Sequence, residues 1–257
     1  MKEITPGNSY HTPERKIPWF IKACPGFHFY RRILHIVFEA SSDGKNGKMD
    51  NVQWNYHSIQ TLRAAETVGA KFHIENMNVF KQLHEPCIFI GNHMSTLETF
   101  VLACIISPHM NMSFVVKRSL IEYPVFKNVM ISLNPIVVGR ENPKEDFKAV
   151  INGGIERLSN DISIVLFPQT TRTVKFDPSA FNSIGIKLAK RAKVPVVPLA
   201  LKTNFWGNGR ILKECGKIDP SQDIRFEFGE PMKIQGNGRA EHERIARFIS
   251  EKLEEWT

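Results

Sequence analysis

From about residue 71 onward, short apolar runs alternate with stretches whose apolar positions recur at helical spacing. The runs at 87–90, 113–116, 136–138, 162–167, 194–200 and 224–228 have strand length, and several are apolar throughout, as strands covered on both faces are. Residues 71–75 alternate apolar and polar and predict a further strand. Helical periodicity predicts helices over 146–158, 181–192 and 240–254, and the apolar stretch 97–106 reads as a buried helix. Residues 51–68 place Val52, Tyr56, Ile59, Leu62 and Ala65 on one stripe, with Asp50 as N-cap and Gly69 as the stop. This rhythm predicts an α/β fold with a mixed, mostly parallel sheet flanked by helices.

The N-terminal quarter follows another pattern. Residues 1–15 are polar and read as a loose tail. Residues 17–38 hold 14 apolar positions in 22, six of them aromatic (Trp19, Phe20, Phe27, Phe29, Tyr30 and Phe38), interrupted by Pro18, Lys22, Pro25, Arg31 and Arg32. No uncharged run approaches the ~18 residues that span a bilayer. Rings interleaved with cations suit a helical segment lying in the headgroup region, and residues 1–38 carry six Lys/Arg against two Glu. A helix packed on the domain with surface arginines fits the same residues. Residues 41–50 are polar, contain glycine and read as a linker. The predicted organisation is an interfacial segment and linker over 1–44, followed by one domain over 45–257.

Composition narrows the function classes only a little. With 42% hydrophobic and 23% charged residues the chain is globular rather than disordered. A formal charge of +8 favours an anionic partner: nucleic acid, a phosphate-bearing substrate, an acidic carrier protein or a lipid surface. Cys24, Cys87, Cys104 and Cys215 form no pair at metal-ligand spacing, which implies a reducing compartment, and the N-terminus lacks the pattern of an export signal.

The candidate chemistry sits at 92–98, Asn-His-Met-Ser-Thr-Leu-Glu, where His93 falls on a strand-to-helix turn, the place where α/β folds keep reactive groups. A neutral imidazole can take a hydroxyl proton, and the Glu98 carboxylate on the following first turn can hold its tautomer and stabilise the imidazolium. Ser95 and Glu98 also match a capping box, which needs no catalysis. Cations follow three other predicted strands: Lys117, Arg140 and Arg172. If those strands run parallel, the three share one sheet edge with His93 and form a socket for phosphate, with the hydroxyls of Thr170, Thr171 and Thr173 nearby.

These blocks carry a resemblance. The run NHMSTLE resembles the His-x4-Asp box of the glycerolipid acyltransferases, the family that includes 1-acylglycerol-3-phosphate acyltransferase, with Glu98 in the aspartate position. FPQTTRT resembles that family's Phe-Pro-Glu-Gly-Thr-Arg-Ser block, with Gln169 and Thr170 replacing glutamate and glycine. NPIVVGR resembles its arginine-ending block, and VPVVP its proline-bearing strand. The order and spacing fit across about residues 70 to 205. The resemblance implies acyl transfer from a thioester, acyl-carrier protein or acyl-CoA, to the free hydroxyl of a lysolipid in phospholipid biosynthesis. It implies His93 as base, Glu98 as its partner, and Lys117, Arg140, Gln169, Thr171 and Arg172 as acceptor-binding residues. It requires no metal or cofactor, and with the N-terminal segment it makes the protein peripheral or monotopic on the cytoplasmic face of a membrane. A non-catalytic lipid-binding or scaffold protein with the same fold is the alternative. A serine hydrolase lacks its Gly-x-Ser-x-Gly elbow here, and a nucleic-acid binder accounts for the charge but not for the dyad.

Overall fold

The computed structural model describes residues 7–123, 127–169, 171–210 and 212–257. In chain order the elements are β1 (Tyr10–His11), α1 (Trp19–Ala23), α2 (Pro25–Lys45), α3 (Asn51–Thr67), β2 (Phe72–Glu75), α4 (Asn78–Lys81), β3 (Ile88–Gly91), α5 (Leu97–Ile106) and β4 (Met112–Lys117). There follow α6 (Arg118–Glu122), α7 (Lys127–Ser132), β5 (Ile136–Val138), α8 (Pro143–Ser159), β6 (Ser163–Leu166), α9 (Ile184–Ala192), β7 (Val196–Lys202), β8 (Ile224–Phe228) and α10 (Arg239–Glu255). The predicted strands and the predicted helices of the main domain all form, with ends shifted by up to three residues. The short helices α4, α6 and α7 are too brief to show a period and escape sequence reading.

The eight strands form one mixed sheet in the order β1-β2-β8-β7-β3-β6-β4-β5. Five adjacent strands, β7, β3, β6, β4 and β5, are mutually parallel, whereas β8 runs antiparallel to β7. The C-terminal ends of those five therefore share one edge, and the register sets Ile90 opposite both Leu166 and Pro198. Alternate side chains feed two apolar layers. Phe89, Val165 and Val197 pack with α2, α3 and α5, while Ile88, Ile90, Ile164 and Leu166 pack with α8, α9 and α10. Burial on both faces is why these strands read as continuous apolar runs.

Three N-terminal expectations need correction. Residues from 7 on are not a loose tail: Tyr10 pairs with Ile74 in the sheet, and the hydroxyls of Tyr10 and Thr12 donate to the fully buried Glu66 carboxylate at 2.6 and 2.9 Å. The polar stretch 41–50 is not all linker, because α2 continues to Lys45. Gly44 stays helical there for a steric reason. A Cβ at that position would lie 2.7 Å from the backbone of Asn128, so α7 can cross α2 only where a side chain is missing. Val52 does not share the buried stripe of α3, being 75% exposed, and Trp54, Ile59, Leu62 and Ala65 carry that burial. Asp50 does cap α3, accepting from the Gln53 amide at 2.8 Å, and Gly69 follows the helix at φ +105°.

Candidate active site

His93 lies between β3 and α5, on the shared C-terminal edge. Neighbouring strands hold its loop in place. The Asn92 side chain donates to the Leu201 carbonyl and accepts from the Leu201 amide, both at 2.8 Å, which ties the end of β3 to β7. From the β6 side, Gln169 Oε1 accepts from the His93 amide at 2.6 Å and the Thr173 amide donates to the His93 carbonyl at 2.9 Å. The imidazole stacks on Phe167 with centroids 4.6 Å apart and planes 5° from parallel, so ring orientation is set by a face contact as well as by hydrogen bonds.

His93 Nδ1 lies 2.9 Å from Glu98 Oε1. The same oxygen accepts from the amides of Met94 and Ser95 at 2.7 and 2.8 Å, and Oε2 accepts from the hydroxyls of Thr203 and Ser95 at 2.6 and 3.0 Å. One carboxylate thus both bonds the imidazole and takes the donors of the capping turn. Glu98 is completely buried. Burial opposes its ionisation, but the bond and charge of His93, the Thr203 hydroxyl and the Ser95 amide together outweigh burial and hold its pKa below the ordinary carboxylate value. An ionised Glu98 accepting from Nδ1–H leaves Nε2 as the ring's proton acceptor.

The other sequence candidates divide. Arg172 joins the His93 loop directly: one guanidinium nitrogen donates to the Thr96 hydroxyl and the other to Glu214 Oε1 at 2.6 Å. Burial would raise the Glu214 pKa, yet the bond and charge of Arg172 keep it below the usual range. Thr171 Oγ1 accepts from Lys213 Nζ at 2.7 Å. Lys117 ends β4 and Arg140 lies two residues past the end of β5, on the same edge; Lys117 pairs with Val138 and is exposed, as is Arg140. Arg140 has φ +65°, and its amide donates at 2.8 Å to the Asp146 carboxylate, which also takes the Gly139 amide. Gln169 differs from the substrate contact expected of it. It is 7% exposed, and both ends of its amide are engaged internally, Nε2 donating to Thr173 Oγ1 at 2.9 Å, so it joins two loops. Thr170 lies outside the described residues.

Sequence reasoning missed Thr203 and Glu214, both from the segment after β7. Inspecting strand ends for hydroxyls as well as cations finds Thr203, directly after Lys202. No signal finds Glu214, because the segment has no period. That segment is anchored by the Trp206 indole N–H to the Glu214 carbonyl at 2.9 Å, by the Asn208 amide to the Met94 carbonyl at 2.9 Å, and by the Tyr30 hydroxyl of α2 to the Gly216 carbonyl at 2.5 Å. Burial pushes the Tyr30 phenol up to about 12, so it remains a donor.

Comparison with known proteins identifies the family. A family model described as Acyltransferase matches residues 70–202, which contain every candidate site residue read from the sequence. The 1-acyl-sn-glycerol-3-phosphate acyltransferase of Pseudomonas aeruginosa is 30% identical over 173 residues, covering 67% of this chain and 62% of that protein. The Saccharomyces cerevisiae protein of the same name is 27% identical over 234 residues, covering 81% of this chain and 76% of that one. The chain spans 62% and 60% of the length of the Pseudomonas protein and of an uncharacterised acyltransferase of Schizosaccharomyces pombe. The crystal structure of a 1-acyl-sn-glycerophosphate acyltransferase from Thermotoga maritima superimposes with a TM-score of 0.67 over 92% of this chain and 96% of that one, at 15% identity, and so shares the fold. With the family model matching more than half of its residues, the chain belongs to the acyltransferase family.

Proposed function

We propose that the protein transfers a fatty acyl group from a thioester, acyl-carrier protein or acyl-CoA, to the free hydroxyl of a phosphate-bearing lysolipid such as 1-acylglycerol 3-phosphate. The observation that carries this reading is the His93–Glu98 pair, its carboxylate buried and its imidazole fixed on the open edge of the sheet. In the reaction, the acceptor oxygen attacks the thioester carbonyl while its proton passes to His93 Nε2. The new C–O bond forms, the C–S bond breaks, and the proton is returned to the departing thiolate. Glu98 stabilises the transient imidazolium. Arg172, with Lys117 and Arg140 on the same edge, attracts the acceptor's phosphate. The test is to incubate the purified protein with both thioester donors and a panel of lysolipids and identify products by mass; absence of any acylated product defeats the reading.

The acceptor resides in a bilayer, and the N-terminal helices suit a peripheral site on an anionic, cytoplasmic leaflet. Among the described residues no helix is long and apolar enough to cross a membrane. Trp19, Phe20, Phe27, Leu34 and Phe38 are exposed on α1 and α2, interleaved with Lys22, Arg31 and Arg32. The opposite face of α2 belongs to the core, where Phe29 sits edge-on to Phe205 and Trp206, so removing the helix would open the core. Surface substitution is the cleaner experiment. Replacing Trp19, Phe27, Leu34 and Phe38 together by serine is expected to reduce recovery on acidic liposomes about tenfold or more at unchanged melting temperature, since each ring or leucine forfeits roughly 1.5 kcal/mol or more of apolar burial. Equal recovery of variant and parent would remove these side chains from the membrane contact.

A further inference from the structure

The Arg172 guanidinium, assigned above to the acceptor's phosphate, already holds an anion. Glu214 Oε1 accepts from it at 2.6 Å, and that bond joins two loops 42 residues apart in sequence. Next to it Lys213 Nζ reaches Thr171 Oγ1, so the 204–218 segment brings one cation and one anion to the 167–173 loop. The backbone under Glu214 is fixed, its carbonyl accepting from Trp206 and the Gly216 carbonyl from Tyr30. The carboxylate itself is not enclosed: the Glu214 side chain is 41% exposed against 15% for Arg172. A partly exposed carboxylate on an anchored backbone faces a more deeply set guanidinium in a chain of net charge +8.

We infer that Glu214 is a specificity-determining residue: it occupies Arg172 in the empty site, and a phosphate-bearing headgroup must displace it to bind. The inference rests on the acyl-transfer reading for its substrate and on geometry for the exchange. A tethered carboxylate competes at an effective concentration in the millimolar range, so a free anion of similar affinity gains little occupancy. A phosphate monoester brings more charge and more acceptor oxygens to the planar fork and displaces it. Glu214 therefore lowers affinity for every anion at Arg172, and an acceptor lacking phosphate does not feel the competition. Specificity is set by what the site already contains as much as by what it attracts.

The experiment compares the full-length chain with Glu214→Gln and Glu214→Asp on two acceptors of equal acyl length, 1-acylglycerol 3-phosphate and monoacylglycerol. The Glu214→Gln change should lower KM for the phosphate-bearing acceptor about fivefold, the scale of a partly exposed ion pair, and leave that for monoacylglycerol within about twofold. Glu214→Asp, which keeps the charge but withdraws it by one methylene, should fall between. In a second arm without turnover, inorganic phosphate should raise the melting temperature of Glu214→Gln at about fivefold lower concentration than the parent. Unchanged KM ratios with superimposable phosphate titrations would overturn the inference, as would equal losses on both acceptors with a lowered melting temperature, the signature of a brace. If the parent acylates neither acceptor, the acyl-transfer reading fails and the phosphate titration alone decides the role of Glu214.

Discussion

His93→Ala should reduce acyl transfer by about 10² to 10⁴ while the protein remains folded, the usual scale for loss of a positioned general base. The fold should survive because His93 is on the sheet edge rather than in either apolar layer, and the Glu98 carboxylate keeps its amide and hydroxyl donors without it. What is lost structurally is the stack on Phe167 and one hydrogen bond, worth about 1 to 2 kcal/mol together. Circular dichroism and a melting curve beside single-turnover kinetics separate the effects. A folded variant with near-normal turnover would remove His93 from the chemistry and leave the family membership standing.

Substitution of Glu98 should give two different results according to what replaces it. Gln can place its oxygen at the Oε1 position and turn its NH2 toward the hydroxyls of Ser95 and Thr203, both of which can rotate to accept. The cap then survives and the charge does not, so turnover should fall about a hundredfold through loss of imidazolium stabilisation, with a stability loss of roughly 1 kcal/mol. Ala leaves several buried donors without an acceptor and should cost about 3 to 5 kcal/mol. The pH dependence checks the assignment. The folded-state pKa of Glu98 is depressed, so its contribution is fully present above the unfolded value near 4.5 and is lost as pH falls through the folded value. The stability gap between parent and Glu98→Gln should therefore be widest near neutrality and close on acidification. A gap that widens toward low pH would contradict an ionised Glu98.

The dyad is legible in the sequence because both members lie within one strand-to-helix turn, five residues apart. The central strands β3, β6 and β7 are legible because burial on both faces leaves them uninterrupted, whereas the two-residue β1 is too short to read. The remaining shell of the site is not local. Thr203 meets Glu98 across 105 residues, and Arg172 meets Glu214 across 42, so neither pairing has a period or a spacing to betray it. Gln169 is legible as a departure from the family block but not in its role, since the same amide could face substrate or backbone until the register of β6 against β3 is known. The end of α2 is hidden for a third reason: Gly44 signals a break by composition, and only the crossing of α7 shows why a helix would keep it.

Helix α2 has two apolar faces on opposite sides, one in the core and one exposed. At about 100° per residue, Phe27, Leu34 and Phe38 fall within about 20° of one line, and Phe29, Ile33, Ile36 and Ala40 fall roughly half a turn away. Tyr30 lies beside that inner face, with its hydroxyl on the Gly216 carbonyl. One residue added or removed between 27 and 38 would roll everything beyond it by about 100°, turning outward aromatics toward the sheet and core residues toward water. Its outward positions can take substitution, whereas Gly44 cannot, and the length between Phe27 and Phe38 cannot change by one residue without rolling one face against the other.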